Sequence, residues 1–250
     1  MFHEIYHLEN QSMLRLTIQD IFKTIKQYPT HTFYKYNDNF EKIKINNNLV
    51  LNTQFICHRI NTIQELVNIP VQFGIELDIR DDFDGNLILS HDPYTVGENF
   101  ENFLQHYQHA FIILNIKSER VELKCLELMK KYNIVDYFFL DSSFPMVYLL
   151  NKDHCNNKIA CRFSEFEPLE HFVQCKEMYS YIWIDCFTKF PLTREIYNKI
   201  KEEGKTKICL VSPELQRQPD KILEHKIILE TLQIIPDMIC CKWYNIIHWI

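Results

Sequence analysis

The chain has 250 residues, of which 46% are hydrophobic, and a formal net charge of −6 at pH 7. An acidic chain without a basic stripe is not expected to bind nucleic acid, whose phosphates require clustered Lys and Arg. Only four glycines occur, which excludes a glycine-rich phosphate-binding loop. The length and hydrophobic content suffice for a single α/β domain of barrel size.

The nine cysteines show no CxxC spacing, and several lie in apolar runs. This usage is typical of reduced, buried thiols, so we predict a cytoplasmic protein. The N-terminal segment MFHEIYHLENQ has neither the basic nor the apolar part of a signal peptide. No apolar run approaches the roughly 20 residues of a membrane span, so we expect no stable membrane anchor.

Residues 1–53 are the least regular part of the sequence. LRLTIQDIFKTIKQY indicates a strand followed by a helix, and HTFYKYNDNFEKIKINNNLVL indicates strand segments joined by Asn-rich turns. We predict that this part is an N-terminal extension packed on a main domain formed by residues 54–250.

Strand-like and helix-like patterns alternate from Gln54 onward. A hairpin arm, NLILSH, is expected after an Asp84–Gly85 turn. Helix caps are expected at Asn61 or Thr62 and at Ser118, and PLTREIYNKIKEE should begin at Pro191 and end at Gly204. The strand candidates are FICHR, GIELDI, FIILNIK, YFFLDSS, KIACRFS, YIWIDCF, KICLVS and DMICCK. Eight β/α repeats predict an α/β fold of the TIM (β/α)8 barrel type.

Polar side chains lie at or near the ends of the strand candidates FICHR and GIELDI and of the hairpin arm NLILSH. Alternation in GIELDIR places Glu76 and Asp78 on one face of a strand. Two carboxylates held so close require a cation between them, and a divalent ion with oxygen ligands would serve. His58–Arg59 ends the preceding strand, and the hairpin arm ends in His91–Asp92. Because a parallel barrel builds its active site from strand ends, we expect these groups to meet.

The order and spacing of these residues resemble the glycerophosphodiester phosphodiesterase family, within the wider group of phospholipase C-like barrels. The resemblance covers about residues 54–245. It begins with His58-Arg59-Ile60 in place of His-Arg-Gly, followed by Asn61-Thr62 and the Glu-x-Asp strand Glu76-Leu77-Asp78. It continues through Asp84-Gly85, His91-Asp92, Asn115-Ile116-Lys117 in place of Glu-x-Lys, and Ser143-Phe144.

The resemblance implies a metal-dependent phosphodiester hydrolase. In such a site His58 and His91 would be the acid/base pair, since histidine titrates near neutral pH. Arg59 and Lys117 would hold the phosphate. One divalent cation, Mg²⁺ or Ca²⁺, would be bound by Glu76, Asp78 and Asn115. The substrate would be a small polar or glycan-linked phosphodiester.

Three departures from the family pattern affect this interpretation. Asn115 replaces a metal-binding carboxylate, and we predict that Glu165, at the end of the fifth strand candidate, supplies the missing charge. Ile60 replaces a glycine, so the backbone there is less permissive. The segment between His91 and Asn115 is short, so the mouth of the site is either open or covered by the N-terminal extension.

Other interpretations remain open at this level. Glu76 and Asp78 could instead form a salt-bridge cluster with Arg59, Arg80 or Lys117. The chain could be a degenerate barrel that binds a phosphorylated ligand or a partner without turnover, or an accessory protein of surface-polysaccharide or phospholipid assembly. Later strands also end in polar residues that could contact a polar head group, namely Asp141, Glu165, Asp185, Glu214 and Lys242. The sequence does not indicate the oligomeric state.

Overall fold

The computed structural model describes residues 2–8, 12–37, 41–202 and 206–250, which form a mixed α/β protein. The strands are β1 (Phe2–His7), β2 (Ser12–Thr17), β3 (Phe33–Tyr36), β4 (Lys42–Lys44), β5 (Gln54–Cys57), β6 (Gly74–Asp81), β7 (Leu87–Leu89), β8 (Glu98–Asn99), β9 (Phe111–Ile116), β10 (Tyr137–Leu140), β11 (Ala160–Phe163), β12 (Tyr181–Ile184), β13 (Lys207–Val211) and β14 (Met238–Cys241). The α-helices are α1 (Ile18–Gln27), α2 (Asn47–Asn52), α3 (Ile63–Leu66), α4 (Phe100–Leu104), α5 (Glu122–Lys131), α6 (Phe144–His154), α7 (Leu169–Gln174), α8 (Arg194–Glu202), α9 (Ile222–Thr231) and α10 (Ile246–Trp249).

The N-terminal residues form a small antiparallel sheet in the order β2-β1-β3-β4, together with α1. Thr17 and Asp20 begin α1 with a capping box, in which each side chain accepts the other residue's backbone N–H at 3.2 and 3.1 Å. The apolar face of α1 is buried, and the Phe22 ring packs edge-on against Phe55 and Phe73 at 5.6 and 5.1 Å. This sheet and helix therefore share a core with the rest of the protein. The division at residue 53 stays a prediction.

The second sheet contains eight parallel strands in the described residues, in the order β10-β9-β6-β5-β14-β13-β12-β11. All eight coincide with the predicted strand runs, and β7 returns along β6 as the expected antiparallel hairpin arm. The end strands β10 and β11 meet at one isolated bridge between Phe139 and Ile159, where Phe139 N donates to Lys158 O at 2.9 Å. A continuous ladder that closes the predicted barrel is not present in the described part of the chain.

One face of this sheet encloses its own apolar cluster. The rings of Phe138 on β10 and Tyr181 on β12 lie 4.4 Å apart, although their strands stand near opposite ends of the ladder. Gly74 leaves room for Ile56, because a Cβ at Gly74 would lie 2.3 Å from Ile56 Cδ1. The cluster comprises Ile56, Phe111, Ile113, Phe138, Leu140, Ala160, Tyr181, Trp183, Cys209, Val211, Met238 and Cys240. The opposite face packs against the helices, as in layered α/β folds.

The helix boundaries agree with the sequence in part. Thr62 caps α3 in a capping box with Glu65, as predicted. The prediction that Ser118 caps a helix is wrong, because Arg120 adopts a left-handed conformation (φ 69°) and α5 begins only at Glu122. Pro191 precedes α8 by three residues, and Gly204 lies outside the described residues.

All nine cysteines are free thiols, seven of them buried, as their usage predicted. Across residues 2–8, 12–37, 41–202 and 206–250, no helix is both long and apolar enough to traverse a bilayer.

Candidate active site

The polar residues singled out in β5, β6 and β9 meet where these strands end. The parallel register places Asp78 of β6 opposite Asn115 of β9. Ile56 and Ile113 face the enclosed apolar cluster, so alternation turns His58 and Asn115 to the same side. The interior face therefore changes from apolar to polar at its carboxyl end, the end at which parallel barrels carry their active sites.

Glu76 is the most deeply buried polar group of this site, with no exposed surface. Its carboxylate accepts a hydrogen bond from the Arg59 backbone N–H at 2.7 Å and another from Asn115 Nδ2 at 2.8 Å. His58 Nε2 lies 3.7 Å from Glu76 Oε2. Burial raises the pKa of Glu76 despite these hydrogen bonds.

Asp78 is almost as deeply buried, and Asn61 fixes its orientation. Asn61 Nδ2 donates to Asp78 Oδ2 at 3.0 Å, and Asp78 N donates to Asn61 Oδ1 at 2.9 Å. Burial, and then the neighbouring Glu76, raise the pKa of Asp78. Arg59 Nε and Lys117 Nζ approach it only to 3.5 and 3.8 Å. These cations offset the carboxylate charge at longer range than a direct hydrogen bond.

The donor set of this pair fits a hard divalent cation. Asn115 Oδ1 is buried and has no hydrogen-bond partner, while its Nδ2 orients Glu76. Among the described residues no three His, Cys, Asp or Glu side chains are grouped to hold a metal. The third oxygen beside Glu76 and Asp78 is instead the Asn115 amide, a ligand type that Ca²⁺ and Mg²⁺ accept.

His58 is held as a neutral imidazole. Burial, then Lys242, then Arg59 lower its pKa to about 3. Its Nδ1 is buried without a hydrogen-bond partner, and Lys242 Nζ donates to the His58 carbonyl at 3.3 Å. A neutral ring at pH 7 can accept a proton but has none to give as an imidazolium.

His91 lies on the loop after β7 and differs from His58 in its surroundings. Its ring is 42% exposed, and Nδ1 is 2.8 Å from Asp92 Oδ1. The His91 hydrogen bond is the first of the causes that lower the pKa of Asp92. Arg80 Nη2 donates to the His91 carbonyl at 2.9 Å and Nη1 to the Lys117 carbonyl at 2.8 Å. Arg80 thus ties the His91 loop to β9, a role that the sequence did not reveal.

Arg162 is a second residue of this face that sequence reasoning missed. It pairs with Asp141 Oδ1 at 2.8 Å and with Asp185, while the other Asp141 oxygen accepts from Lys117 Nζ at 3.0 Å. Trp183 Nε1 also donates to Asp185, at 3.0 Å. The sequence signal for Arg162 was a basic residue within the fifth strand candidate, KIACRFS. Asp141 and Asp185, which the sequence did single out, therefore line the same mouth as Lys117.

Glu165 is bonded to residues 187–189, on the loop after β12. Its carboxylate accepts hydrogen bonds from Thr188 Oγ1 at 2.8 Å, Lys189 N at 3.2 Å and Phe187 N at 3.3 Å. Although burial opposes them, these hydrogen bonds contribute to a lowered pKa of Glu165. Glu165 thus joins the loops after β11 and β12.

In the turn after β5, the residue with an unusual backbone conformation is Arg59 and not Ile60, the position at which the family has glycine. Arg59 takes the left-handed conformation with φ 57°, and its N–H thereby reaches Glu76. Ile60 has no positive φ and is only 7% exposed, with its N–H donating to the Glu76 carbonyl at 2.8 Å. The missing glycine therefore removes no backbone freedom that this turn uses.

Comparison with known proteins places the fold. No family model and no curated protein matches the sequence. The chain is similar to the crystal structure of glycerophosphodiester phosphodiesterase from Agrobacterium tumefaciens str. C58, with a TM-score of 0.55 and 16% identity over 75% of this chain and 96% of that one. It is also similar to a glycerophosphoryl diester phosphodiesterase from Parabacteroides distasonis ATCC 8503, with a TM-score of 0.51 and 11% identity over 96% and 90% of the two chains. The chain therefore has a glycerophosphodiester phosphodiesterase-like fold.

Proposed function

We propose that this protein is a metal-dependent phosphodiester hydrolase, acting through two histidines in a barrel that closes at the Phe139–Ile159 bridge. The observation that carries the proposal is the convergence of two buried carboxylates, Glu76 and Asp78, with a neutral histidine and two cations at one sheet end. The glycerophosphodiester phosphodiesterase-like fold supports the same reaction class.

The histidines take different roles in this proposal. His58, held neutral by burial, accepts the proton of the attacking hydroxyl. His91, more exposed and oriented by Asp92, donates a proton to the leaving oxygen. Arg59 and Lys117 hold the phosphate oxygens and offset the charge that develops on them. The proposal thus makes His58 the base and His91 the acid, a distinction that the sequence alone did not give.

The proposed cofactor is one Mg²⁺ or Ca²⁺ ion. Glu76, Asp78 and the free Asn115 Oδ1 would hold it, and Glu165, bonded to the 187–189 loop, is not included. When bound, the ion polarises the phosphoryl oxygen and neutralises the carboxylates. The proposed substrate is a small polar or glycan-linked phosphodiester, and a cytoplasmic location remains part of the proposal.

A second candidate function is binding of a phosphorylated ligand without turnover. It is favoured by Arg59 and Lys117, whose charges already offset Asp78 without a metal. A third candidate function is an accessory role in polysaccharide or phospholipid assembly. It differs from the first candidate in its substrate but uses the same site. Turnover distinguishes the first candidate from the second.

The deciding experiment is hydrolysis of bis(p-nitrophenyl) phosphate and of glycerophosphodiesters with Mg²⁺, Ca²⁺, Mn²⁺ or chelator. We expect metal-dependent turnover that falls at least about 100-fold in His58→Ala and in His91→Ala. His106→Ala is the control, because this histidine is exposed and its Nδ1 lies 3.1 Å from the Asn102 carbonyl of the preceding helix α4. Phosphate binding without turnover on any of these substrates would favour the ligand-binding barrel.

A further inference from the structure

The mouth of the candidate site is surrounded by exposed apolar side chains, which we name the apolar rim. Its members follow the strands that carry the site: Phe83, Tyr94 and Val96 after β6 and β7, Phe144 after β10, Phe166 after β11 and Phe187 after β12. Phe83, Tyr94 and Val96 are 99%, 95% and 101% exposed. Side chains this exposed contribute almost nothing to the core, and their clustering marks an interaction surface.

The most exposed part of the rim lies beside the catalytic histidine loop. Phe83 is at the tip of the β6–β7 hairpin, in a turn held by Asp82, whose Oδ1 accepts from Asn86 N at 2.7 Å. Tyr94 and Val96 follow His91 by three and five residues. Together they line a cavity of about 610 Å³ with Ile88 and Pro93. Any surface that contacts these tips is thereby brought next to His91.

The charges around these tips are mainly acidic. Asp81 at the end of β6 and Asp84 and Asp92 on the two loops are exposed, and Asp82 is bound within the turn. Two cations stand against these four aspartates, namely Arg80, which lines the same cavity, and Lys124, which donates to the Gly85 carbonyl at 2.5 Å. Anionic lipid or nucleic acid would be repelled by this combination. A choline head group fits it, because its ammonium is attracted both to carboxylates and to the faces of Phe83 and Tyr94.

We propose that the apolar rim docks on a phospholipid surface bearing choline head groups, so that the site acts on phosphodiesters at that surface. This rests on the proposed function, which it deepens by naming where the substrate lies. Three side chains inserted at head-group level give reversible binding, unlike a membrane-spanning anchor. The open mouth left by the short segment after His91 then faces the lipid.

The test is co-sedimentation of the protein with phosphatidylcholine vesicles and with phosphatidylglycerol vesicles. We expect binding to phosphatidylcholine that weakens at least about tenfold in the triple variant Phe83→Ser, Tyr94→Asn, Val96→Ser. Asn is chosen because Tyr94 has φ 61°, which asparagine tolerates. The matched control is Val67→Ser, Val71→Ser, Val135→Ser, three exposed valines in the connections that lead into β6 and β10.

Hydrolysis of a soluble diester by the same variants separates this proposal from the proposed function. Unchanged soluble turnover with lost vesicle binding supports the docking surface. Wild-type protein that does not sediment with phosphatidylcholine, that prefers phosphatidylglycerol, or that binds equally in the triple variant overturns it, whatever the turnover. A rim-dependent dimer in sedimentation velocity, with no vesicle binding, overturns it in favour of self-association.

Discussion

Asn115 occupies the position at which the family resemblance places a third carboxylate. Its amide donates to Glu76 and leaves Oδ1 without a partner. The amide thus performs two tasks that a carboxylate could not combine, since it orients Glu76 without adding a third negative charge to a buried pair. In the proposed metal site this amide would be a weaker ligand than a third carboxylate, while Glu76 keeps its hydrogen bond from Asn115 without an ion.

Asn115→Asp is expected to destabilise the metal-free protein and to strengthen metal binding. Without metal, the lost donor and the added charge should lower the free energy of unfolding by about 1–3 kcal/mol. With metal, the extra charge should tighten Ca²⁺ or Mn²⁺ binding by about tenfold. Calorimetric titration and thermal unfolding with and without metal measure both effects. The control is Asn102→Asp, the same substitution at an exposed position. Unchanged metal affinity in Asn115→Asp would show that Asn115 is not a metal ligand.

Much of the site was predictable at the residue scale, because polar residues at the ends of apolar runs mark strand ends in the sequence. His58, Glu76, Asp78, Asn115 and Lys117 come together as expected. Arg162 was not predicted, and Arg80 was considered only as a salt-bridge partner, because the groups that they bind follow other strands and local spacing carries no information about pairing across a sheet. Glu165 was placed at a strand end, but its hydrogen bonds to residues 187–189 come from a neighbouring loop, which local spacing does not reveal either.

At the scale of single elements, β6 is the strand that brings the site together. It lies between β5 and β9, and Gly74 at its start faces Ile56 so closely that no Cβ fits. Phe111 Cβ and O would also lie within about 3.1 Å of that Cβ. The position of β6, and hence of Glu76 and Asp78, depends on this close approach.

Gly74→Ala should therefore destabilise the protein by about 1–3 kcal/mol through overpacking. Ile56→Val removes the Cδ1 atom that the new Cβ would meet, so the double variant should recover part of that loss. Urea unfolding of both single variants and the double variant gives the coupling energy. Strictly additive effects would show that the strain falls on the Phe111 backbone instead.

The strands were easier to predict than the helix starts. Each parallel strand is a short apolar run with clear ends, and buried strands of this kind stand out in sequence. The start of α5 was misplaced because Ser118 offers a plausible cap while Arg120 breaks the helix with a left-handed residue, a choice that only the packed chain determines.

At the scale of the whole molecule, buried Lys35 joins the N-terminal sheet to α10, and buried Lys226 joins α9 to the last residue of the chain. Lys35 Nζ donates to the Ile247 carbonyl, and Lys226 Nζ to Ile250 O at 2.9 Å. Burial, and then Lys226, lower the pKa of Lys35 to about 7, and burial lowers that of Lys226. Lys35 is therefore only partly charged near pH 7 in this seam.

This seam predicts how stability varies with pH. Between pH 7 and about 10 the unfolded chain binds a proton at Lys35 that the folded chain does not, so this lysine makes stability rise with pH. Burial raises the pKa of cysteines such as Cys57 and Cys161, and their contribution to stability falls over the upper part of the same range. From pH 7 to 9 we therefore expect wild type to gain about 2 kcal/mol relative to Lys35→Met, while the exposed control Lys23→Met follows wild type. Urea unfolding of the three proteins across this range measures the difference, and parallel profiles of wild type and Lys35→Met would contradict the shifted pKa.

The single bridge between β10 and β11 has a consequence for what the site can accommodate. Elsewhere around the mouth, spreading two strands means breaking a ladder, whereas in the described residues β10 and β11 share one backbone bridge, Phe139–Ile159, and the Arg162–Asp141 ion pair at the mouth. The edge of the site between β10 and β11 is thus held by fewer backbone hydrogen bonds than the edge that carries Glu76 and Asp78. If the proposed hydrolysis is correct, we expect this edge to widen around a bulky group on the phosphorus, while Glu76 and Asp78 keep their positions.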